Sequence, residues 1–295
     1  MPHRTLDVGA LQVTAVCDVV GDFPAPLDVA FPQVEEAAWE PYRRRHPEAF
    51  SGPDLWRLRD WCFLVRAGNR LVLVDTGVGQ PGTPGADWIG TPGRLPEALD
   101  DAGVEPDEVD LVVLTHLHLD HVGWNLAWDG DRPRPRFPRA RYLVQRADWE
   151  LFAHRGDDND REAFETCVRP LQALGVVELL DGNRALDPEL ALLHTPGHTP
   201  GSQSLLVASG DHAVLLWGDV ANHPAQISEP SWCPRSDIEP KTAQRTRQAL
   251  LDRVETERMW LAPAHFPEPF GAVIRVDGRR SWSPHESTAV DDPAG

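Results

Sequence analysis

The sequence predicts an α+β fold in which two β-sheets pack as a sandwich with helices on the outside. Three observations predict it. Apolar runs of strand length recur in both halves of the chain, at 62–67, 71–75, 110–115 and 142–145, then at 176–180, 190–194, 203–208 and 213–217. Helical patterns at 146–154 and 160–173 divide the two strand-rich halves. The chain has 295 residues, 41% of them hydrophobic, enough to bury a sizeable core.

Taken in order, residues 11–20 alternate well enough for a strand. Residues 62–67 and 71–75 flank Gly68-Asn69, whose backbone freedom suits a hairpin turn. Arg94 to Ala102 reads as a helix stopped by Gly103. The run 110–115 is continuously apolar after its first residue and predicts a buried strand. A polar helix is expected over 240–256 and a strand over 259–264. One domain is expected over 1–282, with a loose Pro-, Ser- and Asp-rich tail over 283–295. Residues 22–60 look like an insertion between strands. They carry Trp39, Tyr42, Trp56 and the basic run Arg43-Arg44-Arg45. A lid, a subunit contact and plain packing over a sheet edge all remain open for this segment.

The formal charge is −18, which disfavours nucleic acid and anionic membranes as partners. No apolar run approaches membrane-span length, and the N-terminus lacks an apolar stretch behind a basic start. Cys17, Cys62, Cys167 and Cys233 are scattered without a CxxC pair. Reduced thiols in a cytoplasmic protein are the expectation.

The chemistry concentrates in Thr115-His116-Leu117-His118-Leu119-Asp120-His121, directly after a buried strand. Alternate positions at a strand end place His116 and His118 on one side. Asp120 and His121 follow in the turn, where they can serve a second ion. Imidazole nitrogen and carboxylate oxygen suit zinc. Later candidates also follow apolar runs: His198 in His194-Thr195-Pro196-Gly197-His198-Thr199-Pro200-Gly201, Asp219 after Leu215-Leu216-Trp217-Gly218, and His265 after 259–264.

These motifs, in this order, resemble the metallo-β-lactamase superfamily over about residues 10–277. The resemblance implies a four-layer αββα sandwich with metals at one edge of the sheets. It implies that His116, His118 and His198 hold one metal, that Asp120, His121 and His265 hold another, and that Asp219 bridges them. Asp75, in Val74-Asp75-Thr76-Gly77, matches the family's strand-end Asp-x-Gly and is expected to orient a ligand histidine. Two divalent ions follow, zinc first, with iron, manganese or cobalt as alternatives. Homodimers are common among such relatives, and 22–60 is the candidate contact.

The details narrow the activity. His118, where the redox-active branch carries Glu, favours hydrolysis. The stretch from Trp217 through Gln226, with Ala264-His265-Phe266-Pro267, is most similar to methyl parathion hydrolase-like and acyl-homoserine lactonase-like members. Asn222 stands where those lactonases commonly carry a tyrosine against the substrate. The expectation is a bridging hydroxide that attacks a neutral ester, lactone or organophosphate-like small molecule, with Asp120 as the catalytic proton carrier. The alternatives are an acyl-thioesterase or cyclase, helped by a basic groove from Arg43–Arg45, and a non-catalytic metal-binding scaffold. By adjacency to the ligands, Trp124, Asn125, Asn222 and Phe266 are candidates for the substrate pocket, while Trp56, Trp61 and Trp88 are read chiefly as packing.

Overall fold

Strands occupy β1 (Arg4–Val8), β2 (Leu11–Asp22), β3 (Arg57–Ala67), β4 (Arg70–Val74), β5 (Leu111–Val113), the hairpin β6 (Leu126–Asp129) and β7 (Arg132–Pro135), β8 (Arg141–Gln145) and β9 (Val177–Leu180). The second half contributes β10 (Arg184–Ala185), β11 (Leu190–His194), β12 (Gln203–Ser209), β13 (His212–Gly218), β14 (Trp260–Pro263), β15 (Gly271–Val276) and β16 (Arg279–Pro284). The computed structural model describes residues 3–154 and 158–285. One sheet has the order β1-β2-β3-β4-β5-β8-β9 and the other runs β10 to β16 in sequence. Most neighbours are antiparallel; β4, β5, β8 and β9 run parallel, as do β13 and β14.

Alternation along the strands builds the layers. In β2 and β3 the residues Val13, Ala15, Phe63 and Val65 face the second sheet, where they meet Leu192, Leu205, Val207, Val214 and Leu216. The intervening Val16, Cys62 and Leu64 face outward, against Leu95, Ala98 and Leu99 of a helix (Leu95–Asp101) and Trp149 and Phe152 of another (Arg146–His154). Leu215, Trp217 and Leu261 face the other way, against Leu250, Leu251 and Val254 of the long helix Pro240–Glu257. The sequence of layers is therefore helix, sheet, sheet, helix.

Several boundaries differ from the sequence reading. Strand β3 begins at Arg57, so the excursion between β2 and β3 covers 23–56. The helix expected over 160–173 runs from Asp158 but contains a π-helical turn at Phe164–Val168. Pro170 follows at the start of the next α-helical stretch; its missing N–H removes an i to i−4 bond there. The tail does not loosen at Ser283. Ser283 and Pro284 pair with Ala272 and Gly271 in β16, and residues 286–295 lie outside the described residues. All four cysteines are free and buried. Among the described residues, no helix is long and apolar enough to cross a membrane.

The excursion is a packed cap. Its helices Leu27–Ala30 and Glu36–Arg45 bury Leu27, Phe31, Trp39, Tyr42 and Trp56 in one cluster with Val78, Ile89 and Ala225. Arg43 sits 5.9 Å from the Phe50 ring centroid and Arg44 pairs with Glu40 at 2.7 Å.

A buried carboxylate that sequence reading passed over ties the loops beside the site together. Asp18 accepts from the Val78 N–H (2.7 Å), the Leu95 N–H (2.7 Å) and the Trp124 indole N–H (3.0 Å). The fit leaves no room for a side chain at Gly77, where a Cβ would lie 2.1 Å from Asp18 Oδ2. Burial pushes the Asp18 carboxyl up from 3.8 to about 6, against the pull of its donors. Asp18→Ala should strand three buried donors and cost about 2–4 kcal/mol in urea unfolding. The folded-state pKa is raised, so the stability Asp18 contributes is fullest below about 3.8 and is lost as pH rises through about 6. The stability gap between wild type and variant should therefore shrink over that window; a gap that grew would contradict the assignment.

Candidate metal centre

Every candidate ligand follows the end of a strand, on one edge of the sandwich. His116, His118, Asp120 and His121 lie in the loop after β5, His198 in the loop after β11, Asp219 directly after β13 and His265 just after β14. The parallel pairs β4/β5 and β13/β14 bring these ends to one place. Gly218 allows the approach: a Cβ there would lie 2.8 Å from the Thr115 side chain on the facing sheet.

The nitrogens and oxygens converge. His116 Nε2 lies 2.9 Å from His118 Nδ1, which lies 2.9 Å from His198 Nε2. His121 Nε2 and His265 Nε2 are 3.2 Å apart. Asp219 spans the two groups. Its Oδ2 is 3.3 Å from His198 Nε2 and 4.0 Å from His116 Nε2, while its Oδ1 is 3.1 Å from His265 Nε2 and 3.5 Å from His121 Nε2. The Asp120 oxygens lie 3.7 Å from His121 Nε2 and 3.7 Å from His265 Nε2.

The outward nitrogens decide what the inward ones present. His121 Nδ1 donates to Asp75 Oδ2 (2.8 Å), His198 Nδ1 to Asp237 Oδ1 (2.9 Å) and His265 Nδ1 to the Arg59 carbonyl (2.9 Å). Thr115 Oγ1 gives its own hydrogen to Asp75 (2.7 Å), so it accepts from His116 Nδ1 at 3.2 Å. With these hydrogens spent outside, the inward nitrogens of His116, His121, His198 and His265 carry lone pairs in the neutral rings. Lone pairs held this close repel. A proton relieves one pair at a time, whereas a divalent cation relieves three or four donors together. The donor set thus fits metal ions of the zinc type.

The charge balance makes the same demand. Burial and crowding by neighbouring imidazoles hold His116 and His118 well below the ordinary histidine range. Burial opposes charge on His121 and His265 too, but the carboxylates outweigh it. Asp120, Asp75 and Asp219 raise His121, and Asp219 with Asp120 raises His265 to about 9. The buried oxygens call for positive charge, which a cation or a proton supplies.

Asp75 does more than orient one ring. Its Oδ1 accepts the Thr115 N–H (2.7 Å), and its backbone sits in the left-handed region at φ 61°. A non-glycine residue held there is strained, and its four hydrogen bonds over-determine it. Sequence reading missed two other supports. Asp148 accepts from Thr199 Oγ1 (2.8 Å) and the Gly201 N–H (2.6 Å), fixing the loop of His198. Asp237 holds His198 itself. Each is a lone acid with its partner tens of residues away, so only a fold could reveal it.

The cluster forms the floor of a cavity of about 660 Å³. The cap supplies one wall through Phe23, Ala25, Val29 and Trp56, and Leu58 of β3 and Trp88 join it. Phe23 stacks on Trp56 at 4.7 Å and meets Trp88 edge-on at 5.4 Å. Leu151 and Phe152 stand opposite, and Arg235, Ser236 and Ile238 close the third side. Asn222 lines the cavity, with its Nδ2 2.5 Å from Asp219 Oδ2.

Trp124, Asn125 and Phe266 do not line the cavity. Trp124 is packed in the outer core with its indole on Asp18. Asn125 accepts from Thr76 Oγ1 and through its carbonyl from Tyr142. Phe266 packs on Trp217 and Trp282. Arg43–Arg45 also stay off the cavity wall, so they form no basic groove beside the cluster. Trp61 is core, its indole bound to the Phe266 carbonyl.

A family model described as the metallo-beta-lactamase superfamily matches residues 56–265, a span that holds every candidate ligand. The chain belongs to the metallo-β-lactamase superfamily. Among its relatives within that superfamily, an N-acyl homoserine lactonase of Bacillus thuringiensis is 27% identical over 217 residues, covering 69% of this chain and 80% of that protein. An acyl-coenzyme A thioesterase of Gallus gallus is 28% identical over 218 residues, covering 71% and 73%. The structure of AidC, a dizinc quorum-quenching lactonase in complex with a product, has the same fold, with a TM-score of 0.83 at 18% identity over 97% of this chain and 98% of AidC. As a metallo-β-lactamase relative, the chain carries its cap ahead of the matched span.

Zinc added to metal-free protein should raise the unfolding midpoint by roughly 5–10 °C at a hundredfold excess over the dissociation constant. An unmoved midpoint would mean that protons alone satisfy the converging donors.

Proposed function

We propose that this chain is a hydrolase that uses two divalent metal ions to cleave a neutral, moderately apolar ester, lactone or organophosphate-like molecule. The observation that carries the reading is the convergence of five imidazoles, four of them with their outer nitrogens tied to fixed partners, on two carboxylates at the floor of an apolar cavity. In this reading His116, His118 and His198 hold one ion and Asp120, His121 and His265 the other. Asp219 is shared, because its two oxygens face opposite groups. When bound, such ions supply Lewis-acid polarisation and lower the pKa of water toward about 7.

The chain's own groups do the rest. Asp120 lines the cavity beside His121 and His265, and in this reading it carries a proton to the leaving group. The aromatic wall of Phe23, Trp56 and Trp88 holds an apolar portion of the substrate and excludes water. Asn222 bonds Asp219 and so orients that carboxylate rather than reaching into the cavity as a phenol would. The overall charge of −18 disfavours polyanionic substrates, although bound cations would reverse the sign at the cavity floor.

A thioesterase is the second reading. The Gallus gallus relative favours it, as does Arg235, an arginine on the cavity wall that could meet an acidic carrier group.

The test is metal content together with a hydrolysis panel of a γ-lactone, a p-nitrophenyl ester, an aryl phosphotriester and an acyl thioester. Purified protein should hold about two ions per chain and lose turnover to a chelator. Asp120→Ala should lower kcat roughly 10²–10⁴-fold on the preferred substrate while the fold is kept. Full turnover in that variant would remove Asp120 from the reaction, and thioester preference would select the second reading.

A further inference from the structure

The helix Pro240–Glu257 packs with its apolar face inward, through Ala243, Leu250, Leu251 and Val254. In the middle of that face stands Arg247, with no exposed surface. A buried guanidinium is costly unless its donors are met. Here they are met by four acceptors from three stretches of chain. Nε reaches the Val220 carbonyl (2.5 Å), Nη1 the carbonyls of Pro230 (2.9 Å) and Trp232 (2.7 Å), and Nη2 the Asp237 carboxylate (3.1 Å). The other Asp237 oxygen accepts from His198 Nδ1 at 2.9 Å. Val220 adjoins Asp219, so Arg247 reaches the supports of two candidate ligands at once. The backbone adds to the hold: the Ile238 N–H donates to the His198 carbonyl (2.9 Å) and the Glu239 N–H to that of Gly197 (2.9 Å).

We infer that Asp237 and Arg247 are positioning residues for His198, setting how tightly one of the two metal positions holds its ion. This rests on the metal-centre reading above. Asp237 fixes the ring plane and the Nδ1–H tautomer, and its charge makes Nε2 a stronger donor. Arg247 holds that carboxylate still and balances its charge. Asp75 does the equivalent work for His121 directly, and reaches His116 only through Thr115.

The experiment is a titration of the metal-free full-length chain with zinc against a chromophoric chelator, resolving two binding steps, with cobalt absorption as a second readout. Asp237→Asn should weaken one step 10–100-fold and leave the other unchanged. Arg247→Lys should give a smaller loss in the same step, since an ammonium can meet Asp237 but not all three carbonyls. Asp75→Asn should weaken the His121 step most and, through Thr115 and His116, the His198 step to a lesser degree. The neutral double variant D237N/R247M guards against misfolding from a stranded buried charge; it too should lose more affinity in the His198 step than in the His121 step. Cobalt absorption should change for one ion only in Asp237→Asn. Equal weakening of both steps in Asp237→Asn, or no weakening, would each overturn the inference while the two-metal reading stands. A wild-type chain showing no binding step would overturn both.

Discussion

The structure is organised around a repulsion. Imidazole nitrogens and carboxylate oxygens are held within a few ångströms of one another, and without a proton or a cation between them their lone pairs repel. What holds it is bonding from behind. Asp75 grips His121 and Thr115, Thr115 grips His116, Asp237 grips His198, and the Arg59 carbonyl grips His265. The strain at Asp75 and the bare Gly218 are local costs of that assembly. A cluster supported in this way is rigid before any ion arrives, and rigidity lets it discriminate among ions and hold substrate groups in register.

The candidate ligands were legible because chemistry and topology coincide in the sequence. His116 to His121 form one contiguous string behind an apolar run, and Asp219 and His265 follow apolar runs of their own. A strand end is visible without a structure, and a metal ligand at a strand end stands out against its neighbours. The supports are not visible in this way. Asp237 and Asp148 are single acids in polar surroundings, and Asp18 meets Val78 and Leu95 across long stretches of chain. Arg247 left a fainter mark: with Ala243, Leu250, Leu251 and Val254 it falls on one helical stripe, a charge at a core position. Reading that helix as merely polar hid it.

Adjacency proved a poor guide to the cavity. Residues next to a ligand share its turn without necessarily sharing its direction: Leu119 and Asn222 reach the cavity lining, and others do not. Trp124, Asn125 and Phe266 accordingly went to packing and loop bonding. The walls came instead from the cap and from the loop before the long helix, both far from the ligand string. The edge strands β1 and β16 escaped detection for a different reason. In β16 a run of arginine and serine leaves Trp282 as the only large apolar anchor, so neither alternation nor hydrophobicity rises above the background.

Residues 235–238 show what this arrangement means for change over time. Arg235, Ser236 and Ile238 face the cavity, while Asp237 between them faces His198. The Arg235 N–H also bonds the Ala30 carbonyl of the cap at 2.7 Å. Wall and anchor are thus interleaved in a single short stretch. Substrate preference there can evolve by exchanging three side chains, but not by lengthening or shortening the loop, because a shift of one position would pull the anchor from its histidine. New specificities requiring a differently sized pocket must come from the cap, whose Phe23 to Val29 stretch can be remodelled while the centre stays as it is.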